Sequence, residues 1–193
     1  MIKPYLIVVT GRPGSGKTTF SKELGKQLSL PVISRDEIKE GYVHTFGKRH
    51  SELPEDTNKI VTELFFKTIT QLLSANVSLI AEAAFQHKLW KSQLDLLKER
   101  TRMFMLICKV EDDRIALERF VKRGLANPMR EYFHGDKGID IARNGVKLEV
   151  SPYDEPCLNI PSINIDTTGD YDPAIYELKA RICLLYTSPS PRD

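Results

Sequence analysis

Five short apolar runs punctuate the chain, at residues 5–10 (YLIVVT), 31–34 (PVIS), 77–82 (VSLIAE), 103–110 (MFMLICKV) and 162–166 (SINID). Runs this short, several with β-branched residues, predict strands buried on both faces of a parallel sheet. Between them the apolar positions recur at helical spacing. Residues 19–28 are helix-compatible, and residues 55–74 place Ile60, Leu64, Ile69, Leu72 and Leu73 near one face. Residues 87–100 do the same with Leu89, Trp90, Leu94 and Leu97. Residues 112–123 carry Ile115, Leu117, Phe120 and Val121 among charges, and residues 173–185 step through Ala174, Leu178 and Ile182. Asp112 and Asp172 stand where helix N-caps are expected. This alternation predicts an α/β fold with right-handed crossovers, whose ligands bind outside the carboxyl ends of the strands. The residues to inspect are therefore Gly11–Thr18, Arg35 and Asp36, Glu82, Glu111–Arg114 and Thr167–Gly169.

Residues 124–160 break the pattern, being rich in Gly, Pro, Asn and charge. A long irregular stretch inside a compact domain reads as a functional lid, placed at about residues 120–150. Residues 1–185 are expected to form one domain. Residues 186–193 (YTSPSPRD) carry two prolines and no apolar face. They resemble translated adapter sequence, and the native frame is expected to be lost near Cys183–Thr187.

Composition narrows the picture. A net charge of +2 gives no global argument for nucleic acid. The three cysteines, Cys108, Cys157 and Cys183, are odd in number and widely spaced. They suit reduced thiols, and with them a cytoplasmic protein, better than disulfides or zinc. No apolar stretch approaches the roughly 20 residues that span a bilayer, so no membrane partner is expected. His44, His50 and His134 lack metal-ligand spacing. Lys48, Arg49 and His50 read either as a solvated cluster or as a contact for an anionic acceptor.

The strongest chemical signal is residues 11–18, GRPGSGKT, a complete G-x-x-x-x-G-K-[ST] string between the first apolar run and a helical stretch. Successive amides of such a loop form an anion nest, and the following helix adds its open N–H groups and positive dipole end. Gly11, Arg12, Pro13, Gly14, Ser15, Gly16, Lys17, Thr18 and Thr19 thus form the candidate triphosphate site. Lys17 can reach the terminal phosphates, and the Thr18 hydroxyl can ligate Mg²⁺. The second run leads into Ser34-Arg-Asp-Glu-Ile-Lys39. A carboxylate here can orient an acceptor hydroxyl and take its proton, or merely cap the next helix; Asp36 is the candidate. Glu37 is expected to point away, onto that helix.

Thr10–Thr19 followed by Ser34-Arg35-Asp36 resembles the small P-loop kinases, and the bacterial AAA-domain group with its polynucleotide-kinase-like proteins above all. Chloramphenicol phosphotransferase, zeta toxin, gluconate kinase and shikimate kinase are relatives of that group. The resemblance implies a P-loop NTPase three-layer α/β/α sandwich with a five-stranded parallel sheet of order 2-3-1-4-5. It implies ATP and Mg²⁺ as cofactors, Asp36 as the acceptor base, and Lys39 near a residue that touches an acceptor phosphate. Glu82 ends the third run where the group usually has Asp. It is either a metal-water or acceptor ligand, or a structural carboxylate. Phe85, Gln86 and His87 could line the acceptor side. Among Arg114, Arg119, Arg123 and Arg130, Arg123 followed by Gly124 best matches the group's lid arginine. Thr167, Thr168 and Gly169 occupy the loop that packs by adenine in related kinases.

Lys17, Asp36 and Arg123 are therefore the candidate catalytic residues, and Thr18 and Glu82 the candidate metal ligands. The expected activity is transfer of the ATP γ-phosphoryl group to a hydroxyl of a small molecule or a nucleic-acid 5′ end. The alternative is an ATPase switch without acceptor. Asn58-Lys59-Ile60-Val61 is not a guanine motif, and no Leu-Ser-Gly-Gly string is present. Residues 41–60 are expected to build part of the acceptor wall.

Overall fold

The computed structural model describes residues 3–84, 87–135, 143–144, 153–155 and 157–187 of the chain. Phe85, Gln86, much of the expected lid and residues 188–193 lie outside the described residues, as do the side chains of residues 87–89 and 183–187.

Five strands, β1 Tyr5–Thr10, β2 Val32–Ser34, β3 Leu79–Glu82, β4 Arg102–Lys109 and β5 Ser162–Asp166, pair in parallel in the order β2-β3-β1-β4-β5. Successive side chains of a strand point to opposite faces. Leu6 and Val8 of β1 join one core with Phe65, Ile69, Trp90 and Leu94, while Ile7 and Val9 join the other with Phe20, Leu24, Leu178 and Ile182. Both faces are covered, which is why the runs lack polar alternation. Each fully buried Leu or Phe contributes on the order of 2 kcal/mol.

The helices are α1 Lys17–Leu28, α2 Arg35–Phe46, α3 Thr57–Ser74, α4 His87–Lys98, α5 Asp113–Ala126, α6 Met129–His134 and α7 Ile175–Thr187. α3 and α4 cover one face of the sheet, and α1 and α7 the other. Asp112 caps α5, its Oδ1 accepting the Arg114 N–H at 2.8 Å. Asp172 does not cap α7, contrary to expectation. Its backbone is bridged to Asp166 in both directions, so the helix starts three residues later. On α3 the buried row is Val61, Phe65, Ile69 and Leu73, whereas Leu64 is exposed. Aromatic side chains at 65 and 66 outcompete Leu64 for the sheet. The stretch read as irregular from residue 124 is partly helical, because α5 runs to Ala126 and α6 follows at once.

The sheet order positions the site. Chain connections leave the carboxyl ends of β1 and β3 in opposite directions, which opens a crevice there. Register sets Glu82 beside Val9 on one side and Ser34 on the other.

Candidate functional site

Residues 11–16 turn from β1 into α1, with the Ser15 N–H donating to the Arg12 carbonyl at 3.1 Å. Gly16 occupies the N-cap of α1 at φ 78° and offers no side chain to its open amides. They remain available to an anion. Gly14 sits at φ 83°, where a Cβ would lie 1.9 Å from the Ala116 carbonyl oxygen of α5. Gly14→Ala should therefore cost about 2–4 kcal/mol from backbone strain and overpacking. Thermal unfolding should show this as a fall of roughly 5–15 °C, accompanied by weakened nucleotide binding in calorimetry.

Three further contacts fix the loop. Arg12 pairs with Asp113 of α5 at 2.8 Å, so its guanidinium is turned toward α5 and its backbone forms the loop. Thr167 Oγ1 donates to the Ser15 carbonyl at 2.6 Å and lies 2.8 Å from the Lys109 carbonyl. The end of β5 is thereby tied to the phosphate loop. Tyr153 braces the start of the loop through a 2.9 Å bond with Thr10, and burial pushes its phenol up to about 12.

Lys17 is buried at the start of α1. Burial lowers its proton affinity, while Glu82 and Asp36 pull it back up and Arg123 lowers it further; the net shift is downward. Two groups named by sequence, Asp36 and Arg123, thus lie within electrostatic reach of Lys17. Glu82 is buried and accepts from Thr18 Oγ1 at 3.2 Å and Ser34 Oγ at 2.7 Å. One carboxylate thereby links the ends of β2 and β3 to the start of α1. A hydroxyl and a carboxylate side by side are hard oxygen donors of the kind Mg²⁺ takes, and Mg²⁺ needs few protein ligands beside phosphate. Among the described residues no cluster of three or more His, Cys, Asp or Glu forms a denser metal cage.

Asp36 is the second residue of α2, whose N-cap position belongs to Ser34. The capping alternative is therefore displaced, although the carboxylate still favours the positive end of the helix. Burial raises the Asp36 carboxyl, but His134, Lys17, Arg35 and Arg130 together outweigh it and hold it below the ordinary carboxylate range. Glu37 pairs with Lys22 of α1 at 2.6 Å and so turns onto the preceding helix instead of its own. Lys39 is buried and donates to the His134 carbonyl at 3.2 Å, while His134 Nε2 lies 2.9 Å from Glu40 Oε1. Lys39 thus ties α2 to α6. The turn at His50–Glu52 packs beneath α6, where a Cβ on Gly135 would lie 2.7 Å from the His50 ring.

The four arginines separate. Arg114 is exposed and held by Asp112. Arg119 donates to the carbonyls of Thr167 and Thr168 at 2.9 and 2.6 Å. It is fixed at the β5 loop, where it lines a cavity of about 750 Å³ with Gly16, Thr19 and Tyr171. Arg123 bears on Lys17, and Arg130 bears on Asp36. A second cavity, of about 1080 Å³, opens at the opposite edge of the sheet and is bordered by Arg35 and Asp36. Lys48 and Arg49 stay exposed. His134 and Tyr153 are site-building residues that carry no local sequence signal, whereas Thr167 belongs to the loop singled out after the fifth apolar run.

A family model described as AAA domain matches residues 6–136. A crystal structure of a candidate kinase from Chloroflexus aurantiacus superposes with a TM-score of 0.73 at 24% identity, covering 95% of this chain and 98% of that one. APS kinase from Mycobacterium tuberculosis, in complex with AMPPNP and APS, gives 0.57 at 16% identity over 97% and 100% of the two chains. A gluconokinase from Sinorhizobium meliloti gives 0.55 at 15% identity over 98% and 100%. The chain has the fold of these P-loop proteins. Among the described residues no helix is long and apolar enough to cross a membrane.

Proposed function

The chain belongs to the AAA-domain family, and on that footing we propose that it is an ATP-dependent phosphotransferase acting on a hydroxyl group. One observation carries the reading: one cavity borders the phosphate loop at Gly16 and Thr19 beside Arg119, and a separate one is bordered by Asp36. A nucleotide switch needs only the former, whereas a transferase needs a place for donor and acceptor. APS kinase, a protein of this fold, is seen in complex with both AMPPNP and APS.

In this reading the triphosphate lies on residues 11–19 with its base toward Arg119 and the Thr167–Gly169 loop. Lys17 neutralises the terminal phosphates. Thr18 and Glu82 would hold Mg²⁺, which when bound spreads charge off the β- and γ-oxygens. Asp36 orients the acceptor hydroxyl and receives its proton as the acceptor oxygen bonds to the γ-phosphorus. The bond from that phosphorus to the bridging oxygen breaks, and ADP departs. Arg123 and Arg130 supply positive charge from the α5–α6 side, and the bidentate grip of guanidinium makes Lys a poor substitute. Ordering of these groups before reaction supplies most of the rate.

The experiment is transfer of label from γ-labelled ATP across a panel of hydroxylated compounds and 5′-hydroxyl oligonucleotides. Labelled acceptor is expected, with hydrolysis in its absence slower by at least about tenfold. Hydrolysis at an undiminished rate without acceptor would favour the ATPase reading instead.

A further inference from the structure

The cavity at Asp36 continues along α3. While one face of α3 packs on the sheet, the stripe Asn58, Thr62, Phe66 and Thr70 borders the cavity, each residue four beyond the last. Such a stripe spans roughly 18 Å at the helical rise. The cavity is thus an elongated groove with a carboxylate at one end. Near that end the polar groups already satisfy one another. Arg35 Nε donates to Thr62 Oγ1 at 3.1 Å, Arg35 Nη2 donates to the Asn58 carbonyl at 3.1 Å, and Thr62 donates to the same carbonyl at 2.8 Å. The groove is backed by Phe66 and Trp90, whose rings lie 4.8 Å apart at 49° and are largely buried, with Ala84, Thr70, Gln71 and Gln93 around them. Lys59, Glu63 and Lys67 stand exposed on the rim, with mixed sign.

We infer that the acceptor is an elongated alcohol with an aromatic or otherwise apolar body, its hydroxyl at Asp36 and its body in the groove against Phe66 and Trp90. This rests on the transferase reading above and names the substrate class for it. A volume of about 1080 Å³ is that of a site for a drug-sized molecule, and a small polyol fills only a fraction of it. Most of the exposed surface of the groove is carbon, which suits an apolar body better than a small polyol. A nucleic-acid end brings phosphates that need a basic surface, yet Glu63 interrupts the rim and the chain carries only +2.

Trp90 is the single tryptophan of the chain, so its emission reports directly on the groove. The probes are 3-phenylpropane-1,2-diol and glycerol, the same diol with and without a ring. With Mg²⁺ and AMPPNP present, the phenyl diol should shift Trp90 emission saturably, and glycerol should not. With ATP, the phenyl diol should be phosphorylated with kcat/KM roughly 10–100-fold above glycerol. Thr70→Phe fills the groove from its rim without removing a core contact. It should weaken the response to the phenyl diol at least tenfold and leave the AMPPNP Kd unchanged. Phe66→Leu should raise KM for the phenyl diol more than for glycerol. No emission response to the phenyl diol, equal or better turnover of glycerol, or indifference to Thr70→Phe would each overturn the assignment, with AMPPNP binding intact and the transferase reading still standing. Absence of AMPPNP binding would overturn both.

Discussion

Replacing Lys17 with alanine lowers kcat/KM by on the order of 10³-fold, the scale expected when a preorganised charge is removed from developing negative oxygens. The side chain starts α1 directly beyond the uncapped Gly16 and is buried there. Burial works against the cation, and the downward shift of its proton affinity registers this; Glu82 and Asp36 offset only part of it. A buried cation held against its own desolvation is primed for a polyanion, whose binding relieves the imbalance. Nucleotide affinity should therefore fall together with turnover. Thermal unfolding provides the cleanest measurement. At 100 times Kd a ligand stabilises the wild-type protein by about 2.7 kcal/mol, and Mg·ATP should produce no such upward shift of Tm in Lys17→Ala at the same concentration. A circular-dichroism spectrum matching wild type would establish that the variant is folded. An undiminished Tm shift would remove residues 11–19 from the nucleotide site.

What the sequence revealed and what it concealed follow from distance along the chain. The phosphate loop is contiguous with β1 and α1, and Asp36 is two residues beyond β2, so strand pattern and motif located both. Strand order came through the resemblance, since periodicity alone does not say which strands pair. The helix faces were less secure. Leu64 fits a helical stripe as well as Val61 does, and only the aromatics at 65 and 66 decide which side meets the sheet. Asp172 looked like a cap, but its backbone is engaged with Asp166 across a tight bridge. The arginines were hardest. Arg119 is defined by carbonyls at 167 and 168, and His134 by Glu40 and by the Lys39 ammonium, all more than forty residues away. Such pairings leave no local pattern. Fold alone did not choose among them either, because a site is set by individual side chains grafted on a common frame.

Asp36→Asn should leave nucleotide binding within about threefold of wild type and slow transfer by roughly 10²–10⁴-fold, the range for loss of a general base. The substitution keeps the shape and the hydrogen-bonding reach of the side chain while removing the charge and the proton acceptor. Position makes this separable from binding: Asp36 borders the groove proposed for the acceptor, whereas the amides and Lys17 proposed to meet the triphosphate belong to residues 11–19. The pH dependence follows from the direction of its shift. Burial raises the carboxyl, but His134, Lys17, Arg35 and Arg130 prevail and hold it low, so the group is ionised throughout the neutral range. Its linked stability is present above the ordinary value of about 3.9 and is lost as pH falls through the lower folded value. Between about pH 5 and 8 Asp36 should therefore contribute no limb to the kcat/KM profile, and Asp36→Asn should lower the profile by the same factor across that window. Single-turnover transfer measured across that window, beside AMPPNP titrations, gives both numbers. A variant that transfers at the wild-type rate would return Asp36 to a role at the start of α2 and leave the hydroxyl without a base. Asp36→Glu provides the complementary arm, since a carboxylate one methylene longer should recover part of the rate where the amide recovers none.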